Sequence, residues 1–144
     1  MLKIILAATD GSDLSLKGVE QACELAARLG AGITVMTVEE PYSYANVTAY
    51  RPESFEQYSD RMRQEVHDRI ESARKVAETY GVKPEFVTVR HVSPAAAILK
   101  QAASDGTDLI VMASRGRSGI SAVLLGSVTR QVLAEAQIPV LVCR

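Results

Sequence analysis

A chain of 144 residues suffices for one domain that buries about two thirds of its unfolded surface, and no second domain is needed. With 16 basic residues against 17 acidic ones and a pI near 6.1, no overall positive field exists to hold a nucleic-acid backbone or an anionic membrane surface. The two cysteines, Cys23 and Cys143, suggest neither a disulfide framework nor a CxxC metal site, and both read as small buried hydrophobes.

The opening run MLKIILAATDG is broken by Asp10 too soon for a signal peptide, and no apolar stretch approaches the roughly 20 residues of a membrane span. The expectation is a soluble, cytoplasmic protein with no membrane partner. Within that run LKIILAA, closed by Thr9, Asp10 and Gly11, has the continuous apolarity of a strand buried on both faces. Ser12 or Asp13 then caps a helix whose Leu16, Val19, Cys23, Ala26 and Leu29 recur at helical spacing, with Gly30 and Gly32 as stop signals. ITVMTVE predicts a second strand over 33–39. The stretch from Pro41 to Pro52 has no period of its own; it is long for a compact domain, and its Tyr42, Tyr44 and Tyr50 suit a lid or a subunit contact equally.

A long helix is predicted from about Ser54 to Tyr80, with Phe55, Tyr58, Met62, Val66, Ile70, Ala73, Ala77 and Tyr80 on one face and His67, Asp68 and Arg69 on the charged side. PEFVTVR is a third strand, SPAAAILKQAAS a helix with Ser93 at the N-cap and Pro94 in its first turn, and TDLIVMA a fourth strand. A last helix over about 127–136 and the strand IPVLVC complete the order. Strands alternating with helices imply right-handed β-α-β units. The fold class is therefore α/β: a single doubly wound domain, with a five-stranded parallel sheet between helices on both faces.

Such sheets bind ligands beyond the carboxyl ends of their strands, where the winding reverses. That rule selects the loops after the first strand (Asp10, Gly11, Ser12), the second (from Val38) and the fourth (Ala113 to Ser127). In the last of these a helix starting near Ser127 presents unpaired amides and the positive end of its dipole to an anion. Gly116, Gly119 and Gly126 permit close approach or turning, Arg115 and Arg117 add charge, and the Ser127 and Thr129 hydroxyls are further donors. The pattern is neither a Walker A loop nor a GxGxxG fingerprint. If the loop binds phosphate, the amides around Gly116, Gly126 and Ser127 must converge on one hollow.

MASRGRSGISAVLLGSVTRQVLAEAQIPVLVC, together with IILAATDGSDLS, resembles the universal stress protein family over essentially the whole chain, 1–144. The resemblance implies a sheet order of 3-2-1-4-5. The family's nucleotide-binding branch has the pattern Gly-x2-Gly-x9-Gly-Ser/Thr for ATP phosphates. Gly116, Gly126 and Ser127 match it, while Ala113 stands in place of its first glycine and Val92 replaces a glycine that many relatives carry. By the same resemblance Asp10 sits at the ribose and Val38 and Met112 at the adenine. The implied nucleotide-contacting set is Thr9, Asp10, Val38, Met112, Ala113, Arg115, Gly116, Gly126, Ser127, Val128 and Thr129, with ATP and Mg²⁺ as ligand and no protein metal site.

Two functions remain open at this point. One is an ATP-binding stress-response or signalling module without dedicated catalysis, since neither a Walker A lysine nor a nucleophile-base pair is recognisable. The other is a dimeric interaction scaffold that does not bind nucleotide, favoured by Ala113 and Val92. In both, the terminal strand leaves a sheet edge open, and the family resemblance implies a homodimer across it. Asp10 suits capping or a ribose contact equally, Arg115 and Arg117 suit solvent or phosphate equally, and His67 and His91 fit surface and loop roles.

Overall fold

A computed structural model describes residues 1–43, 53–116 and 124–144. Tyr44, Tyr50, Arg117 and Gly119 lie outside the described residues. Along the chain run β1 (Ile4–Ala8), α1 (Asp13–Leu29), β2 (Gly32–Glu39), α2 (Phe55–Thr79), β3 (Glu85–Arg90), α3 (Pro94–Asp105), β4 (Leu109–Ala113), α4 (Ser127–Glu135) and β5 (Val140–Cys143). All four strand pairings are parallel, and the sheet order is β3-β2-β1-β4-β5. The chain winds outward from β1 through β2 to β3, then crosses back to β4 and β5. The reversal falls between β1 and β4.

Period-two alternation divides the core into two layers. Ile5, Ala7, Ile33, Val35, Leu109 and Val111 pack against Val19, Cys23 and Ala26 of α1 and Ala73 and Ala77 of α2. Leu6, Met36, Ile110 and Met112 pack on the other face, against Ala95 and Ile98 of α3 and Val132 of α4. The three inner strands thus read as continuous apolar runs because both faces are covered. The edge strands differ from expectation: β3 and β5 have no fully buried residue, since each has a neighbour on one side only and lies toward the margin of the helix layers.

The helix ends follow local chemistry. Ser12, and not Asp13, caps α1. Gly30 closes that helix at φ 65°, whereas Gly32 opens β2 by donating its amide to the Lys3 carbonyl at 2.8 Å. Ser54 and Gln57 form a reciprocal capping box at the start of α2, and Ser93 caps α3. The first strand starts later than its apolar run because the Lys3 and Ile4 amides donate to the Asp108 carboxylate at 2.8 and 3.0 Å. Those two amides hold that carboxyl below its ordinary pKa and bind the start of β1 to the start of β4.

Two side chains depart from the helix-face reading. Phe55 is 61% exposed, and Arg69, expected on the solvent side of α2, is 8% exposed. Cys23 is fully buried and its thiol is pushed up to about 11, first by burial and then by Glu20. Cys143 is only half-buried on the edge strand, with burial again raising its thiol.

Candidate functional site

The carboxyl end of β4 and the start of α4 are clamped together. The Ser114 amide donates to the Cys143 carbonyl at 2.7 Å, and the Ser114 carbonyl accepts from the Gly126 amide at 2.7 Å. The first intrahelical bond of α4 runs from the Arg130 amide to the Gly126 carbonyl, so the Ser127, Val128 and Thr129 amides precede any helical acceptor. The helix has no side-chain cap. Among the described residues none accepts from these three first-turn amides, which stand at the end where the helix dipole favours an anion.

Two expected donors are otherwise engaged. The Gly126 amide is directed to Ser114 and so does not join the anion-facing set, although a Cβ at Gly126 would still come within 3.2 Å of the Arg115 Cα. The Thr129 hydroxyl, in a residue 2% exposed, donates to the Ala113 carbonyl at 2.8 Å. It anchors α4 to the end of β4, and a phosphate or metal-bound water would have to break that bond to use it.

Across the reversal, the turn after β1 is built on hydroxyls. Thr9 donates its amide to the Met36 carbonyl, its hydroxyl lies 2.8 Å from that of Ser15, and it accepts from the Gly11 amide at 3.1 Å. Asp10 Oδ1 accepts from the Ser12 amide at 3.0 Å and the Ser12 hydroxyl at 2.6 Å. This Asx turn sets Ser12 in place, and Ser12 in turn caps the helix by accepting from the Ser15 amide. Asp10 therefore supports the cap at one remove. Its Oδ2 faces Gly116, where a Cβ would lie only 2.5 Å away.

These segments border one cavity of about 1000 Å³, at the upper end of what small-molecule sites occupy. All eleven residues singled out from the sequence line it. So do several that the sequence reading missed: Met36 below Val38, Pro94 and Ile98 of α3, and Tyr58, Arg61, Met62, Glu65 and Arg69 of α2. The spacing 58, 61/62, 65, 69 is itself a helical stripe, and that was the available signal. Arg61 bridges Glu53 at 2.8 Å and Glu65 at 2.7 Å, and its guanidinium is held above its ordinary pKa chiefly by the Glu53 bond. Arg69 donates to the Thr37 hydroxyl at 3.1 Å and the Val38 carbonyl at 3.2 Å. His91 is outside this set; its Nδ1 accepts from the Ser93 amide, and His67 is exposed.

The model of the Universal stress protein family matches residues 1–144. The chain belongs to the universal stress protein family. The universal stress protein YxiE of Bacillus subtilis is 35% identical over 152 aligned positions, covering 100% of both chains. The structure of universal stress protein UspA from Lactobacillus plantarum superposes with a TM-score of 0.80 at 24% identity, over 99% of this chain and 98% of that one. A universal stress protein solved in complex with cAMP gives 0.75 at 26% identity, over 99% and 97%.

Within this universal stress protein, the two departures from the family's glycine pattern are conformationally cheap. Ala113 is the last residue of β4, and among the described residues every positive φ belongs to a glycine. An extended alanine there carries no left-handed strain. Val92 is 80% exposed and does not line the cavity.

Proposed function

We propose that the cavity binds an adenine nucleotide, ATP with its Mg²⁺, and that occupancy is a signal read by other components of a stress response. The carrying observation is the placement, around one cavity, of the three outward amides of Ser127, Val128 and Thr129, the Asp10 carboxylate, and the apolar end formed by Met36, Val38 and Met62. Phosphate belongs at the helix start, ribose at Asp10 and Gly116, and base at the apolar end. The cAMP bound by a 26%-identical relative supports a nucleotide in this fold. Among the described residues no three His, Cys, Asp or Glu side chains cluster as a metal site, and Mg²⁺ would be carried in on the phosphates.

Three amide bonds to a charged phosphate contribute about 1.5–3 kcal/mol each, and burial of the base adds to them, against an association cost of at least ~4 kcal/mol. Calorimetric titration is expected to give a micromolar Kd for ATP. No heat at millimolar ATP from folded protein would refute the reading. No turnover is assigned, because Asp10 is engaged in an Asx turn and no lysine takes the Walker position.

The engaged Gly126 amide favours a second reading, an interaction scaffold without nucleotide. Nucleotide co-purifying with the protein decides between them. In either case β5 is an edge strand with Leu141 37% exposed, and we place a homodimer contact there. Light scattering at tens of micromolar protein is expected to return twice the chain mass.

A further inference from the structure

Arg69 is a cation buried at 8% exposure, at a position where charge has to be desolvated. Its side chain is 9% exposed, and the Glu65 carboxylate stands 3.5 Å from its guanidinium. An apolar side chain of similar volume commonly replaces a buried ion pair without loss of stability. What a guanidinium offers that a hydrophobe cannot is a rigid fork of donors. Here Nη1 reaches both the Thr37 hydroxyl and the Val38 carbonyl, and Nη2 reaches Glu65. The stem does separate work: a Cβ on Gly11, at φ 84°, would lie 2.7 Å from Arg69 Cγ, so the methylenes fill the space beside the turn that carries Asp10.

The Val38 carbonyl is placed to be read by a ligand. β1 makes its last link to β2 through the Thr9 amide and the Met36 carbonyl, and the Glu39 carbonyl turns the other way to accept from His91. Peptide groups along a strand alternate between neighbours, so the Val38 carbonyl points to the β1 side two residues beyond the last β1 bond. Val38 itself lines the cavity, with Met36 and Met62. Arg69 takes one lone pair of that oxygen and a second remains.

We propose that Arg69 is a positioning residue for base selectivity: it fixes the Val38 carbonyl so that the remaining lone pair accepts from a purine with an amino group at C6 and repels one with an oxo group there. The proposal rests on the nucleotide reading above. ATP and ITP differ at that one group and share ribose and triphosphate, so they isolate the effect. Calorimetry on the full chain is expected to show ATP binding about tenfold or more tighter than ITP. In Arg69→Met, which keeps a stem against Gly11, the ratio falls to about threefold or less through loss of ATP affinity alone. Arg69→Lys, with charge but no fork, gives an intermediate ratio.

If the wild type binds neither nucleotide, both this proposal and the nucleotide reading fall. If it binds both equally, or if folded Arg69→Met keeps the wild-type ratio, only this proposal falls. Should Arg69→Met not fold, Arg69→Lys decides alone, and a ratio equal to the wild type overturns the assignment.

Discussion

Gly116→Val is expected to weaken ATP binding tenfold to a hundredfold while the chain stays folded. The first atom of the new side chain would lie 2.5 Å from Asp10 Oδ2, closer than a carbon and an oxygen can approach. Asp10 must then turn away, and its Oδ1 cannot keep both bonds to Ser12. A carboxylate that accepts from ribose hydroxyls contributes about 1.5–3 kcal/mol per bond, which converts to about one to two decades of affinity. Gly116 lies at the rim of the sheet, outside both core layers, so the melting temperature should move little. Because the valine acts through the carboxylate, Asp10→Ala and Gly116→Val should be strongly non-additive, the double variant binding no worse than the weaker single one. Additive losses would mean that Gly116 serves the ligand independently of Asp10, and full retention of affinity would remove both residues from the site.

The parallel α/β architecture and the placing of the cleft at the carboxyl ends of the strands were legible because they depend on patterns carried by short segments, whereas the strand order came from the family resemblance. IILAA and LIVMA are apolar at consecutive positions and ITVMTVE is broken only by threonines before its final Glu39, as strands covered on both faces are, and the rule for such sheets sends ligands to the loops after them. Edge and centre were only partly distinguishable in that way: EFVTVR carries Glu85, Thr88 and Arg90, but PVLVC is as apolar as an inner strand and yet only half-covered. The α2 wall was hidden for a different reason. Arg69 follows Asp68 and His67 and carries a charge, so its residue type assigns it to solvent although its spacing from Met62 and Ala73 puts it on the inner face, where a long cationic side chain can lay its stem. Hydrogen-bond direction was the third gap. That Gly126 would give its amide to Ser114 depends on how the end of β4 and the start of α4 are juxtaposed in space, which no spacing of residues states.

Thr129 carries that last point to an experiment. Its hydroxyl could be read from the sequence as a donor to phosphate or to a metal-bound water; in the structure it is buried and donates to the Ala113 carbonyl. Thr129→Val preserves the shape and the branched β-carbon and removes only the donor, leaving a buried carbonyl unsatisfied at a cost of about 1–3 kcal/mol. A melting temperature lower by roughly 3–10 °C is expected. The affinity for ATP should fall only a few-fold, as the first turn of α4 loses its tether to β4. Ser127→Ala should behave in the opposite sense, because that residue is exposed at the helix start: stability unchanged, affinity reduced. Measured together by thermal melts and titration, the two variants separate a hydroxyl that holds the helix from one that faces the ligand. If Thr129→Val instead melts like the wild type and loses ATP affinity tenfold or more, the hydroxyl turns to the ligand when nucleotide binds, and the clamp between α4 and β4 is broken by occupancy.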